Sequence, residues 1–175
     1  MSNFHWLFLG VCFLTALHDF LYFKIPNYLV LILMVLFVIK VAIFQGLSDL
    51  YFPLLVFAGF LTAGFALYSF KLFGAGDAKL LAATAMWAVE LNLLAFVVFT
   101  ALAGGILSIL YLWLGKTFEA TRVHAVNLLS KGLVAKFKGQ KVEVTEPASG
   151  ANRVVPYGVA IFVGAVVVII QSGMR

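Results

Sequence analysis

The sequence predicts an all-α fold: one membrane domain, residues 1–175, crossing the bilayer with about six helices. Three observations predict it. Hydrophobic residues make up 64% of the chain and charged residues only 11%, too little polar surface for a water-soluble domain of this size. Mean hydropathy is +1.10. Apolar runs recur at the length a helix needs to span hydrocarbon, about 20 residues.

Taken in order, the first run, Phe4–Phe23, starts almost at Met1 and has the look of a signal peptide. No small-residue cleavage site follows, so it reads as a retained helix. Pro26 ends it, because a proline pushes the preceding residue out of the α region and cannot continue the helix itself. Asn27 is placed to help cap span two, Asn27–Phe44. Span three is Leu50–Phe70, followed by a break at Gly74 and Gly76. Asp77 is then placed to cap span four, Ala78–Val89. Leu93–Leu114 and Pro156–Ile170 supply spans five and six, separated by a 116–155 loop that is expected to be either a short amphipathic segment or disordered.

The charge pattern sets the orientation. Lys24, Lys71, Lys79 and the seven basic residues from Lys116 to Arg153 share one side of this arrangement. Arg175 lies on the other, and Lys40 is near enough to the far end of span two to snorkel. Positive loops stay inside, so both termini are expected outside and the 116–155 loop in the cytoplasm of an inner-membrane protein. The net charge of +5 is explained by topology and not by a nucleic-acid partner. Cys12 is the single cysteine, which excludes a disulfide framework and a Cys-x-x-Cys metal site. His5 and His124 are isolated and no His-Glu-x-x-His occurs, so no metal and no cofactor are expected.

Two acidic residues stand out. Asp19 lies about one turn inside the cytoplasmic end of span one, and Asp77 lies at the cytoplasmic start of span four. A carboxylate at the centre of a membrane helix costs about 2.5–3.5 kcal/mol on insertion scales, which marks intramembrane acids as functional candidates. Two at one depth suggest a dyad that shares a proton, activates water against a peptide carbonyl and protonates the departing amine. Read singly, Asp77 is also a plain helix cap and Asp19 a plain interfacial carboxylate. Gly74 and Gly76 are candidates for positioning Asp77 and admitting a substrate backbone. Lys79 reads either as a substrate-binding cation or as a surface lysine that sets topology. Glu90 falls at the outer end of span four, on the wrong side for the dyad. His18 points about 100° around the helix from Asp19. A small transporter subunit or a non-catalytic assembly scaffold are the other classes open to such a chain. The core of spans two, three, five and six lacks the acids that an ion path needs.

Several stretches together resemble one family. Asp19 followed by Ile25-Pro26-Asn27, then Gly74-Ala75-Gly76-Asp77-Ala78-Lys79-Leu80, then Val155-Pro156-Tyr157-Gly158 resemble the type IV prepilin peptidases, membrane aspartyl proteases of the Gly-x-Gly-Asp class. The resemblance implies that Asp19 and Asp77 are the catalytic pair. It also implies a prepilin or pseudopilin substrate, cut at the cytoplasmic membrane face between its basic leader and its apolar helix, commonly after a glycine. Larger bacterial members carry paired Cys-x-x-Cys motifs in a cytoplasmic segment and methylate the new N-terminus. This chain starts directly at a span and has one cysteine, so methyltransferase activity is not expected. In size it resembles the short peptidase-only members associated with tight-adherence pili, or else an archaeal preflagellin-type peptidase.

Overall fold

The computed structural model describes residues 3–70, 73–136 and 155–173. Among these described residues six α-helices follow one another: α1 (Asn3–Tyr22), α2 (Asn27–Phe44), α3 (Tyr51–Ser69), α4 (Ala75–Leu91), α5 (Leu93–Lys136) and α6 (Tyr157–Gly173). A 3-10 turn at Leu47–Leu50 leads into α3. Each expected span therefore has its helix, and the protein is an all-α polytopic membrane protein. Among the described residues four stretches are long and apolar enough to cross a bilayer: Phe4–Tyr22, Asn27–Phe44, Leu47–Ser69 and Leu93–Gly115. The apolar α6 is shorter.

Helix α4 is the hub, packing against α2, α3, α5 and α6, while α6 also packs on α1. Its sequence explains the role. Ala78, Ala82, Ala83, Ala85 and Ala88 are all buried, and small residues let helix backbones approach closely where no hydrophobic driving force separates protein from lipid. One close approach is at Gly64 of α3, where a Cβ would lie 2.7 Å from the Cβ of Ala78. Larger groups fill the other end of α4. Trp87 stacks on Phe8 with ring centroids 4.7 Å apart, meets Phe37 edge-on, and donates from Nε1 to the Leu33 carbonyl at 3.1 Å. A buried indole thus finds its partner on a neighbouring helix.

The structure differs from the sequence reading at several places. Lys40 does not snorkel. It is buried, forms an ion pair with Glu90 from α4, and lies over the rings of Phe37 and Trp87. A lysine one turn from a helix end can reach water, but here an acid from the adjacent helix is nearer. Helix α1 stops at Tyr22, before Pro26 can act, because Phe23 turns left-handed at φ 50. His18 Nδ1 donates to the Lys24 carbonyl at 2.6 Å across this reversal. Pro26 serves as N-cap of α2, and Asn27 is its first residue instead of its cap. The 116–155 segment does not begin as a loop: α5 continues past its apolar part to Lys136. No proline interrupts 116–136, and Gly132 alone is too weak a breaker to stop a helix already nucleated. The expectation for 137–154 lies outside the described residues.

The ion pair has a measurable consequence. Removing one partner leaves a buried charge uncompensated, so Glu90→Ala is expected to destabilise the bundle on the order of 3 kcal/mol. Replacing both, as Lys40→Met with Glu90→Leu, is expected to restore thermal stability in detergent to about the wild-type level.

Candidate active site

Asp19 and Asp77 come together where three helix ends meet. Asp19 sits near the C-terminal end of α1, Asp77 in the first turn of α4, and the first turn of α6 lies beside Asp19. Asp19 is 4% exposed, and Asp77 is half-buried. They are close enough that the charge of Asp19 acts directly on Asp77.

Each carboxylate is held by a backbone N–H at a helix start. Gly158 N–H donates to Asp19 Oδ2 at 2.8 Å. That donor is one of the N–H groups left free at the start of α6, where the helix dipole also favours negative charge. Gly74 N–H donates to Asp77 Oδ2 at 3.2 Å. The helix therefore begins earlier than expected. Gly74, at φ −80 and ψ 145, is the N-cap, and Asp77 is the third helical residue, reaching back to it. Gly74 has no side chain to return the bond, so only one arm of a capping box exists. One oxygen of Asp77 is thereby fixed by its own helix.

The glycines act by close approach and not by unusual dihedrals. Gly76 lies inside α4 and not in a break, and Gly46 is the only glycine among the described residues at positive φ. A Cβ on Gly74 would stand 2.6 Å from Asp77 Oδ2, and one on Gly76 would stand 3.1 Å from Ile25 Cβ. Gly76 thus lets the start of α4 settle on the Ile25-Pro26-Asn27 turn, and Gly74 keeps space for the carboxylate. Asp77 is carried on a formed helix and not on a loop. Gly74→Ala is expected to leave the protein level unchanged and to slow cleavage roughly tenfold or more, since displacement of a reacting group by about 1 Å can cost 10²-fold. Gly76→Ala, which meets a side chain able to give a few tenths of an ångström, is expected to have the smaller effect. Steady-state protein and cleavage rate measured together check both.

Gly158 is the residue that sequence reasoning missed. The Val155-Pro156-Tyr157-Gly158 stretch entered only as a resemblance, with no role given to the glycine. A Cβ there would lie 2.9 Å from Asp19 Oδ2 and 3.0 Å from Asp19 Cβ. The signal available was a proline followed two residues later by glycine at a helix start, which marks free N–H donors and a backbone that something must approach. Tyr157 completes this corner, its ring lying against Gly104 of α5 and edge-on to Phe73.

Other expected residues lie elsewhere. His18 gives its Nδ1 proton to the Lys24 carbonyl. Lys79 donates to Asn27 Oδ1 at 3.2 Å. Two residues along α4 from Asp77, it is turned about 200° around the helix from that carboxylate. Glu90 is paired with Lys40 at the opposite end of α4. Among the described residues no group of three or more His, Cys, Asp or Glu side chains is arranged to hold a metal ion.

Comparison with known families decides the class. The model described as the type IV leader peptidase family matches residues 6–109, more than half of the chain. The chain belongs to the type IV leader peptidase family. Membership makes it a protease, of the aspartic type in this family, and an integral membrane protein. The matched region runs from α1 into α5, so this leader peptidase has Asp19, Gly74, Gly76 and Asp77 inside it and Gly158 outside. No curated protein and no solved structure matches the chain.

Proposed function

We propose that Asp19 and Asp77 are the catalytic pair of this leader peptidase. They cut a prepilin or pseudopilin between its short basic leader and its apolar helix, at the cytoplasmic face of the inner membrane. The observation that carries the reading is the meeting of two shielded carboxylates from separate helices, each anchored by one backbone N–H and coupled to the other. The lysine and arginine asymmetry supports the cytoplasmic side.

The pair works with one proton between two carboxyl groups. The ionised aspartate takes a proton from water as the water oxygen attacks the scissile carbonyl carbon. The protonated aspartate gives its proton to the carbonyl oxygen, forming a tetrahedral diol. As the diol collapses, one of its hydroxyls gives its proton to the ionised aspartate, the C–N bond breaks, and the protonated aspartate gives its proton to the departing amine. One water is consumed and the pair returns to its singly protonated state. Gly158 and Gly74 N–H groups hold one oxygen of each carboxylate, leaving the other for water and substrate. A single-span substrate presents its leader–helix junction at the membrane surface, the depth at which the three helix ends meet.

Because the pair activates water itself, the reaction requires neither metal nor thiol. Cleavage of a prepilin by the purified protein in liposomes, followed by gel shift, is expected to survive EDTA and thiol alkylation. Loss of activity to EDTA that zinc restores would contradict the aspartyl mechanism.

A further inference from the structure

Helices α2 and α3 do not pack on each other, although both lean on α4. The gap between them is an apolar groove of about 530 Å³ whose walls include Leu31, Met34, Phe57 and Leu61. Asn27, Tyr28 and Lys79 line one end, almost wholly with their carbon atoms. The far end of the gap is bridged by the 3-10 turn Leu47–Leu50, which packs on both helices. From Asn27 to Met34 along α2 the groove runs about 10 Å, within the roughly 15 Å depth of one leaflet's hydrocarbon.

We propose that this groove seats an acidic phospholipid of the leaflet next to the aspartates, with its phosphate on Lys79 Nζ and one acyl chain along the wall between α2 and α3. Three observations favour it. Lys79 Nζ is bonded to the neutral Asn27 amide, so it brings a positive charge to the groove mouth. Tyr28, 60% exposed, lies beside it, the residue type that marks the headgroup level. The groove has the depth of one leaflet and not of a spanning helix. The location also disfavours a substrate chain. Lys79 faces about 200° away from Asp77, so a chain seated there has to cross the start of α4 to reach the dyad. The lipid would wedge α3 against α4 and complete a face that the protein alone leaves open. The inference is independent of the catalytic reading, and its failure would leave the dyad untouched.

Native mass spectrometry of the full chain released from detergent tests it, with phosphatidylglycerol and phosphatidylcholine of matched acyl chains as probes. Wild type is expected to retain one phosphatidylglycerol about fivefold more strongly than phosphatidylcholine, the difference one lysine near a membrane surface supplies. Lys79→Ala is expected to erase that preference and Lys79→Arg to keep it. Leu61→Trp, which fills the groove, is expected to lower retention of both lipids. Monodisperse elution and unchanged helical circular dichroism identify variants that are folded. Equal retention of the two lipids by wild type, an undiminished preference in Lys79→Ala, or indifference to Leu61→Trp would each overturn the proposal. So would displacement of the lipid by an apolar helical peptide from a prepilin, which would reassign the groove to substrate.

Discussion

Asp19→Asn and Asp77→Asn are each expected to abolish prepilin cleavage in cells co-expressing the substrate, with the uncleaved precursor persisting on a gel. Asparagine keeps the size of the side chain and an acceptor oxygen for Gly158 or Gly74 N–H, so the protein is expected to accumulate at the wild-type level. It cannot take or give the shared proton. General acid–base catalysis by a positioned group contributes about 10²–10⁴-fold, and each substitution removes the proton exchange on which both halves of the reaction depend. A loss near the upper end of that range is therefore expected. Processing that persists in both variants would exclude the aspartyl mechanism and return the chain to a scaffold or transport role.

The second large effect is expected at Gly158. Its N–H holds Asp19 at 2.8 Å, and an added methyl group would fall 2.9 Å from the same oxygen and 3.0 Å from Asp19 Cβ. The methyl also faces the backbone end of the side chain, so a rotamer change cannot remove the whole overlap. Either the start of α6 retreats, taking its N–H with it, or α1 shifts. A movement of about 1 Å at a reacting group can cost 10²-fold, and Gly158→Ala is expected to slow cleavage by that order. Overpacking at a helix contact costs typically 1–3 kcal/mol, so thermal stability is expected to fall as well. Cleavage rate per folded molecule, with unfolding followed in the same detergent, separates the two. Wild-type turnover at normal stability would show that the α6 contact is dispensable.

Hydropathy and the turn residues between the apolar runs are enough to place the six helices of the described residues. Those features are local, or follow from counting along the chain. What was not legible depends on which helix faces which. Lys40 near a helix end suggests snorkelling until Glu90 is known to stand opposite it. The role of Gly158 is invisible until α6 is seen to start against Asp19, 139 residues away along the chain. Asp77 is a capping residue in either reading, but its register is set by where α4 begins, and glycine N-caps give little sequence signal. The extension of α5 past Gly115 was hidden because hydropathy reports where lipid ends and not where a helix ends.

The central claim is that Asp19 and Asp77 act as one unit, and residual activity tests it most directly. Single-turnover cleavage of a radiolabelled prepilin in liposomes is measured for wild type, Asp19→Asn, Asp77→Asn and the double variant. Groups that share one proton lose nearly everything with the first substitution, as cooperating catalytic residues do, so the double variant is expected to be no slower than the slower single variant. Losses that multiply in the double variant, or near wild-type turnover in one single variant, would contradict a shared dyad.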